Sequence, residues 1–162
     1  MITNMLKTAF VALVLICVQS ATSVAQITKY KCMIQMTNYM GDGAYIAISL
    51  IDSKGAYEKT LYVLGSDKKW YKTIIEWNKF YLKKPAAVNA ITGASVTGGD
   101  RAVNVIEIEN AKVNAGYKLR FESAVEDKAY NVKDVEIPLT TEALAAKTDG
   151  TGYIRYVRFS AN

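Results

Sequence analysis

Apolar and polar residues alternate with a period of two over most of this 162-residue chain. The segment ITKYKCMIQM, residues 27–36, places Tyr30, Cys32, Ile34 and Met36 on one side and mostly polar residues on the other. Such alternation is typical of β-strands with one buried face. The same pattern recurs in AYIAISLID, KTLYVLG, AVNVIEIE, GYKLRFESAV, YNVKDVEIPL and YIRYVRFS. The sequence therefore predicts a protein made mainly of β-sheet.

One segment departs from this alternation and predicts a helix. In SDKKWYKTIIEWNKFYLKKP, residues 66–85, Ser66 or Asp67 can cap the start of a helix and Pro85 forbids its continuation. Apolar residues recur there at helical spacing, and the predicted stripe consists of Trp70, Ile74, Trp77 and Tyr81, widened by Tyr71 and Ile75. The preceding turn, residues 53–55, predicts a hairpin between the second and third strands.

About seven short strands with one helical insert predict a mainly β fold, an immunoglobulin-like β-sandwich with one short amphipathic helix before a Gly-rich loop. Residues 1–25 are predicted to be a signal peptide, because Lys7, an apolar run and the small residues Ser23-Val24-Ala25 follow one another. The apolar run, residues 9–18, is shorter than the about 20 residues of a membrane-spanning helix. We therefore expect a soluble protein, periplasmic or otherwise exported, with a single β-sandwich domain over residues 26–162.

The chain contains no histidine. This absence removes Ser-His-Asp and Cys-His catalysis, and nearly all zinc and copper sites. A hydrolase that uses two carboxylates stays possible, although the acids Glu107 and Glu109 alternate as on a solvated sheet face.

The net charge of +5 comes from scattered basic residues, which do not form a nucleic-acid-binding surface. Cys32, alone after signal cleavage, is predicted to be a buried, unreactive thiol.

The loop VNAITGASVTGGDR, residues 88–101, contains small residues that could serve either of two purposes. Glycine and hydroxyl residues of this kind are ordinary turn formers. They would equally clear space around Ser95 for a bulky phosphate-linked group, with Thr92 and Thr97 as donors to phosphate oxygens. Composition alone favours the plain turn.

The segment NAITGAS, residues 89–95, resembles the target motif of bacterial FAD:protein FMN transferases. That motif is an Asp, two variable residues, Ser or Thr, Gly, Ala, and then an acceptor Thr or Ser. The last residue carries FMN through a phosphoester. Here Ser95 takes the acceptor position and Asn89 stands in place of the Asp. The residues between them that match are Thr92, Gly93 and Ala94.

From about Tyr45 to Pro138 the chain also resembles a family of predicted periplasmic proteins of unassigned function, often encoded near PepSY-type membrane proteins and the FMN transferase. The matching features occur in the order YEKTLYVLG, KKWYKTIIEW, the Thr-Gly-Ala-Ser loop and GYKLRFESAVED. In the last of these, Tyr117 is followed five residues later by Glu122. The tail resembles the immunoglobulin-like domain of flagellar hook-capping proteins.

These resemblances imply an exported electron-transfer protein with FMN held covalently on Ser95. They imply as partners the FAD:protein FMN transferase and a PepSY-type membrane redox protein. Arg101 is then a candidate to stabilise reduced flavin, and the candidates to stack on its ring are Trp70, Tyr71 and Trp77. The alternative is a cofactor-free immunoglobulin-like module that binds a partner in the cell envelope.

Overall fold

The computed structural model describes residues 26–85 and 88–161, so the predicted signal peptide over residues 1–25 lies outside the described part of the chain. Within that part, the strands are β1 Ile27–Met36, β2 Tyr45–Ile51, β3 Tyr57–Leu64, β4 Thr92–Gly93, β5 Arg101–Glu109, β6 Lys118–Ala124, β7 Tyr130–Pro138, β8 Lys147–Asp149 and β9 Ile154–Ala161. The α-helices are α1 Ile75–Lys83 and α2 Thr141–Ala145, and 3-10 helices occupy Lys68–Thr73, Val88–Ile91 and Asn110–Lys112.

The strands form two sheets packed together. One has the order β5-β1-β9-β8, and the other has the order β4-β3-β2-β6-β7. All pairs of strands are antiparallel except the short parallel contact between β3 and β4. The predicted mainly β sandwich is confirmed.

The predicted hairpin between β2 and β3 is confirmed too. The Asp52 carboxylate closes its turn by accepting hydrogen bonds from the amides of Lys54 and Ala56 at 2.9 and 2.8 Å.

The space between the sheets is filled by apolar side chains. Cys32, Ile34 and Met36 on β1 are buried there, as their alternation predicts. Burial raises the pKa of the Cys32 thiol well above its ordinary value, because the charged thiolate has lost its solvation. The prediction of a buried, unreactive thiol is confirmed.

A second layer covers the outer face of the five-stranded sheet. The helix predicted over residues 66–85 is instead two helices, Lys68–Thr73 and α1, which meet at Ile74. Asp67 caps the first of them by accepting from the Lys69 amide at 3.1 Å. A 3-10 turn repeats every three residues, so the buried stripe runs through Tyr71, Ile74 and Trp77. Placing Ile75 in the stripe was therefore wrong, since that side chain is 46 % exposed.

Candidate functional site at Ser95

The loop that carries Ser95 is fixed to the sheet at several points. Gly93 accepts a hydrogen bond from the Gly65 amide at 2.8 Å, and Val96 and Ala44 exchange two backbone hydrogen bonds of 2.8 and 3.1 Å. The Tyr39 hydroxyl, beside this pair, donates to the Val96 carbonyl at 2.6 Å. Because backbone on both sides of it is anchored, Ser95 has a defined position although it is exposed.

Gly43 lies directly against Ser95. A Cβ atom at position 43 would lie 2.5 Å from the Ser95 Oγ, closer than two such atoms can approach. The absence of a side chain at Gly43 therefore leaves the Ser95 hydroxyl its space. Nothing in the alternation of the sequence marks this glycine, since MGDGAY, residues 40–45, reads as an ordinary turn.

Ser95 also lines a cavity of about 250 Å³ between three separate parts of the chain. Asp42 and Gly43 precede β2, Trp70 and Thr73 belong to the first 3-10 helix, and the remaining lining residues are Tyr45 and Glu126. Gly65, with φ of +117°, makes room for the Tyr45 ring, which approaches its backbone closely. This cavity combines two aromatic rings and two carboxylates, a set that is assembled only by the fold.

A second cavity of about 360 Å³ lies on the other side of the loop. Ala94, Ser95 and Val96 form one wall, and the start of β5, residues 101–104, forms another. Arg101 is exposed there, and its Nε donates to the Gln35 side chain at 3.1 Å. Ser95 thus stands between an aromatic, acidic cavity and one that contains an arginine.

The other residues of the predicted site differ in exposure: Thr92 and Gly93 are half-buried, whereas Ala94 and Thr97 are exposed. The Thr92 hydroxyl donates to the Val88 carbonyl at 2.5 Å, so it already has a partner within the loop. Gly93 is half-buried, and a Cβ there would lie 3.0 Å from the Tyr62 hydroxyl. Ala94 and Thr97 are exposed beside Ser95. Asn89 lies in the 3-10 helix Val88–Ile91, and its side chain lies outside the described residues.

Of the three aromatic residues considered for stacking, only Trp70 lines the cavity beside Ser95. Tyr71 and Trp77 are buried under the helices, with ring centroids 5.0 Å apart, and cannot reach a ligand at Ser95. The expectation that either would stack on a flavin is wrong, because the helical stripe turns them toward the sheet. One face of Trp70 is covered by the Lys69 ammonium, 5.1 Å from the ring centroid.

A fully buried carboxylate, that of Glu122, lies away from Ser95. Glu122 is fully buried beneath α1 and accepts hydrogen bonds from the Tyr57 hydroxyl at 2.5 Å, the Tyr130 hydroxyl, and the Trp77 amide at 3.2 Å. Burial raises its pKa, and these hydrogen bonds oppose that shift. A group sealed beneath packed residues cannot meet a substrate, so we assign Glu122 to the anchoring of the helix.

Among the described residues, His, Cys, Asp and Glu side chains nowhere gather in a group of three that could hold a metal ion. Over the same residues, none of the helices is both long enough and apolar enough to cross a membrane.

A family model described as "Predicted periplasmic protein (DUF2271)" matches residues 27–156. Neither a curated protein nor a solved structure matches the chain.

Proposed function

We propose that this chain, which belongs to the DUF2271 family of predicted periplasmic proteins, is a periplasmic electron carrier with FMN esterified to Ser95. The family membership agrees with the export predicted from its first residues. The observation that supports the proposal best is the exposure of Ser95 between two cavities, opposite a glycine. The resemblance of residues 89–95 to an FMN-transferase target motif supplies the identity of the group. We take the FAD:protein FMN transferase as a partner from this motif resemblance, and a PepSY-type membrane redox protein from the resemblance of about Tyr45 to Pro138 to the periplasmic family.

The attachment requires an oxygen nucleophile that a large donor molecule can approach. The Ser95 hydroxyl attacks the flavin-side phosphorus of FAD, its bond to AMP breaks, and the serine proton leaves with AMP or solvent. The product is a phosphodiester between Ser95 and FMN. Gly43 keeps the approach open because it has no side chain that could cover the hydroxyl, and the neighbouring Ala94 has only a methyl group.

The surroundings of Ser95 suit the two ends of FMN differently. Asp42 and Glu126 would repel a phosphodiester, whereas Arg101 would attract it, so we expect the phosphate on the Arg101 side. Trp70 and Tyr45 offer aromatic surface for the flavin ring on the other side. The flavin supplies one- and two-electron transfer. The cavities hold about 250 and 360 Å³, at or below the lower end of the ~300–1,000 Å³ of enclosed ligand sites, so the ring would stay accessible to a redox partner.

The direct test is the intact mass of the protein coexpressed with the transferase. Wild type should gain the mass of FMN minus water, and Ser95→Ala should not. Thr97→Ala is the matched control, since it removes a hydroxyl two residues away and should leave the gain unchanged. An unmodified wild type, or a gain that survives Ser95→Ala, would overturn the proposal.

Gly43→Ala tests the geometry rather than the acceptor. The added Cβ would lie 2.5 Å from the Ser95 Oγ, so we expect the modified fraction to fall at least about tenfold while the fold is retained. Asn89→Asp should act in the opposite direction, because it restores the usual first residue of the motif. Equal modification of Gly43→Ala and wild type would show that Ser95 is not approached from this side.

The alternative function is a cofactor-free binding module of the cell envelope. The observation that favours it is the open side of strand β5, where Val103 and Val105 are 58 % and 44 % exposed. Yellow colour and in-gel flavin fluorescence of the native protein would separate the two functions.

A further inference from the structure

Strand β5 is an edge strand of the four-stranded sheet. It pairs with β1 on one side, and no strand of the described residues pairs with its other side. That free side faces a groove of about 470 Å³ between β5 and β3, which Val105, Glu107 and Ile91 help to line. The cavity of about 360 Å³ continues the opening past Arg101. The free backbone groups of β5 are therefore accessible to another strand.

The outward side chains of β5 are unusual for an edge. Val103 and Val105 are 58 % and 44 % exposed, and the exposed charged residues Arg101 and Glu107 flank them. An exposed apolar pair on an unpaired edge is a surface for strand addition. The charges at its two ends are opposite in sign, which limits the strands that fit.

We infer that this edge binds a second copy of itself, antiparallel, with the two-fold axis at Asn104. In that register Arg101 lies opposite the partner's Glu107, and Val103 lies opposite the partner's Val105. Each pair occurs twice because the interface is isologous. All four outward pairs are then favourable, two by charge and two by apolar contact.

Neighbouring registers are less complementary. With the axis at Val105, Arg101 would lie opposite the partner's Glu109, but Val103 would lie opposite the partner's Glu107, so a valine would face a carboxylate at two places. With the axis at Val103, Glu107 would pass beyond the end of the partner's strand. The sequence RAVNVIE, residues 101–107, is therefore self-complementary in the register centred on Asn104.

Asn104 provides a second, independent observation. Its Nδ2 is buried and has no hydrogen-bond partner among the described residues. A buried donor without a partner is costly, and native proteins rarely leave one. In this register the two Asn104 residues lie directly opposite each other, with Cβ atoms about 4.5–5.5 Å apart, so rotation of each amide out of its buried position would let the two bond across the axis.

The test measures self-association by sedimentation velocity, from about 10 µM to about 1 mM, on protein made without the transferase. Without FMN, the result is independent of the proposed electron-carrier function. Wild type should form a dimer with rising concentration. A single strand pair buries less than the ~1,200–2,000 Å² of stable interfaces, so the dimer should be weak.

Two single charge reversals decide the register. Arg101→Glu places like charges opposite each other twice, and so does Glu107→Arg, so each should weaken the dimer about tenfold or more. Mixing the two variants should restore association, because each position then faces the opposite charge. Arg158→Glu is the matched control. Arg158 is exposed on the same sheet, but it lies on β9, which pairs with β1 on the side away from β5. The dimerisation constant of this variant should equal that of wild type.

The mixed sample also separates a lost interface from a lost fold. If circular dichroism shows both variants folded and their mixture stays monomeric, the proposed pairing is wrong. A wild type that is monomeric over the whole concentration range overturns it as well, and is the result expected if a strand of another protein occupies the edge.

Discussion

Phe121 and Glu122 are consecutive residues of β6, yet they are buried on opposite faces of the five-stranded sheet and in different surroundings. Phe121 lies between the sheets in an apolar cluster, with its ring centroid 6.4 Å from that of Phe159. Glu122 lies under α1, where three hydrogen-bond donors converge on its carboxylate. The two side chains are thus equally buried, although Phe121 is apolar and Glu122 has a carboxyl group.

The difference follows from the backbone groups that each layer must accommodate. Between the sheets, strands bond to strands, so the side chains that fill the space need no polar atoms. The outer layer must hold the start of α1, whose first amides lack partners within the helix. Ile74 at its N-cap provides no side-chain bond, and the sheet provides them instead: Glu122 accepts from the Trp77 amide at 3.2 Å, and the Tyr130 hydroxyl accepts from the Glu76 amide at 3.0 Å.

The largest effect should come from breaking the apolar layer. Phe121→Ala leaves a cavity between the sheets, and we expect it to lower the free energy of unfolding by about 3–5 kcal/mol. Urea denaturation followed by circular dichroism measures this. Lys118→Ala, an exposed position of the same strand, is the control and should change stability by less than about 0.5 kcal/mol. A loss below about 1 kcal/mol for Phe121→Ala would mean that the two sheets do not form one rigid interior.

Breaking the polar layer should cost somewhat less. Glu122→Leu leaves the Tyr57 and Tyr130 hydroxyls and the Trp77 amide without their acceptor, and we expect a loss of about 2–4 kcal/mol. The double variant with Tyr57→Phe is the informative comparison, since removing both partners should cost less than the sum of the two single losses. Strict additivity would show that the Tyr57–Glu122 hydrogen bond does not contribute to stability.

A smaller effect is expected from Trp77, which ties α1 to β3 within the outer layer. Its Nε1 donates to the Thr60 hydroxyl at 3.0 Å, and Trp77→Phe leaves that hydroxyl unpaired. We expect a loss of about 1–3 kcal/mol. Thr60→Val in the Trp77→Phe background should recover part of it by removing the orphaned hydroxyl. A further loss in that double variant would contradict this account.

The smallest effect is a pH dependence that distinguishes the polar layer from the apolar one. Burial raises the pKa of Glu122 above its ordinary value, against the opposing effect of its hydrogen bonds. A folded-state pKa above the unfolded one means that the group's contribution to stability is complete below the unfolded pKa. It is lost as the pH rises through the folded pKa.

Glu122→Gln cannot ionise and should lack this loss. Its free energy of unfolding, relative to that of wild type, should therefore rise as the pH increases above the ordinary pKa of a glutamate, about 4.3. Phe121→Ala, measured in parallel, should follow the pH dependence of wild type. Parallel curves for Glu122→Gln and wild type would show that this carboxyl does not titrate with a raised pKa.

The candidate site illustrates how far local sequence reasoning extends. The loop and its small residues were evident from composition, because glycine and hydroxyl residues signal a turn wherever they cluster. The choice of Ser95 as the acceptor came from the motif resemblance. Gly43, Tyr45 and Glu126 were not, since they come from distant segments and carry no local pattern. The helical stripe was found, but its period was wrong, because a 3-10 turn and an α-helix place different residues against the sheet.

By itself, the sequence determined the β-rich class, the seven longer strands and the β2–β3 hairpin, whereas the short strands β4 and β8 were not predicted. These features depend on the period-two alternation and on turn residues, which act over a few positions. Only the tertiary structure decided that Gly43 faces Ser95, that Glu122 caps a helix from the neighbouring sheet, and that β5 has a free edge. Such contacts join residues many positions apart, and the packing of two sheets and a helix layer brings them together.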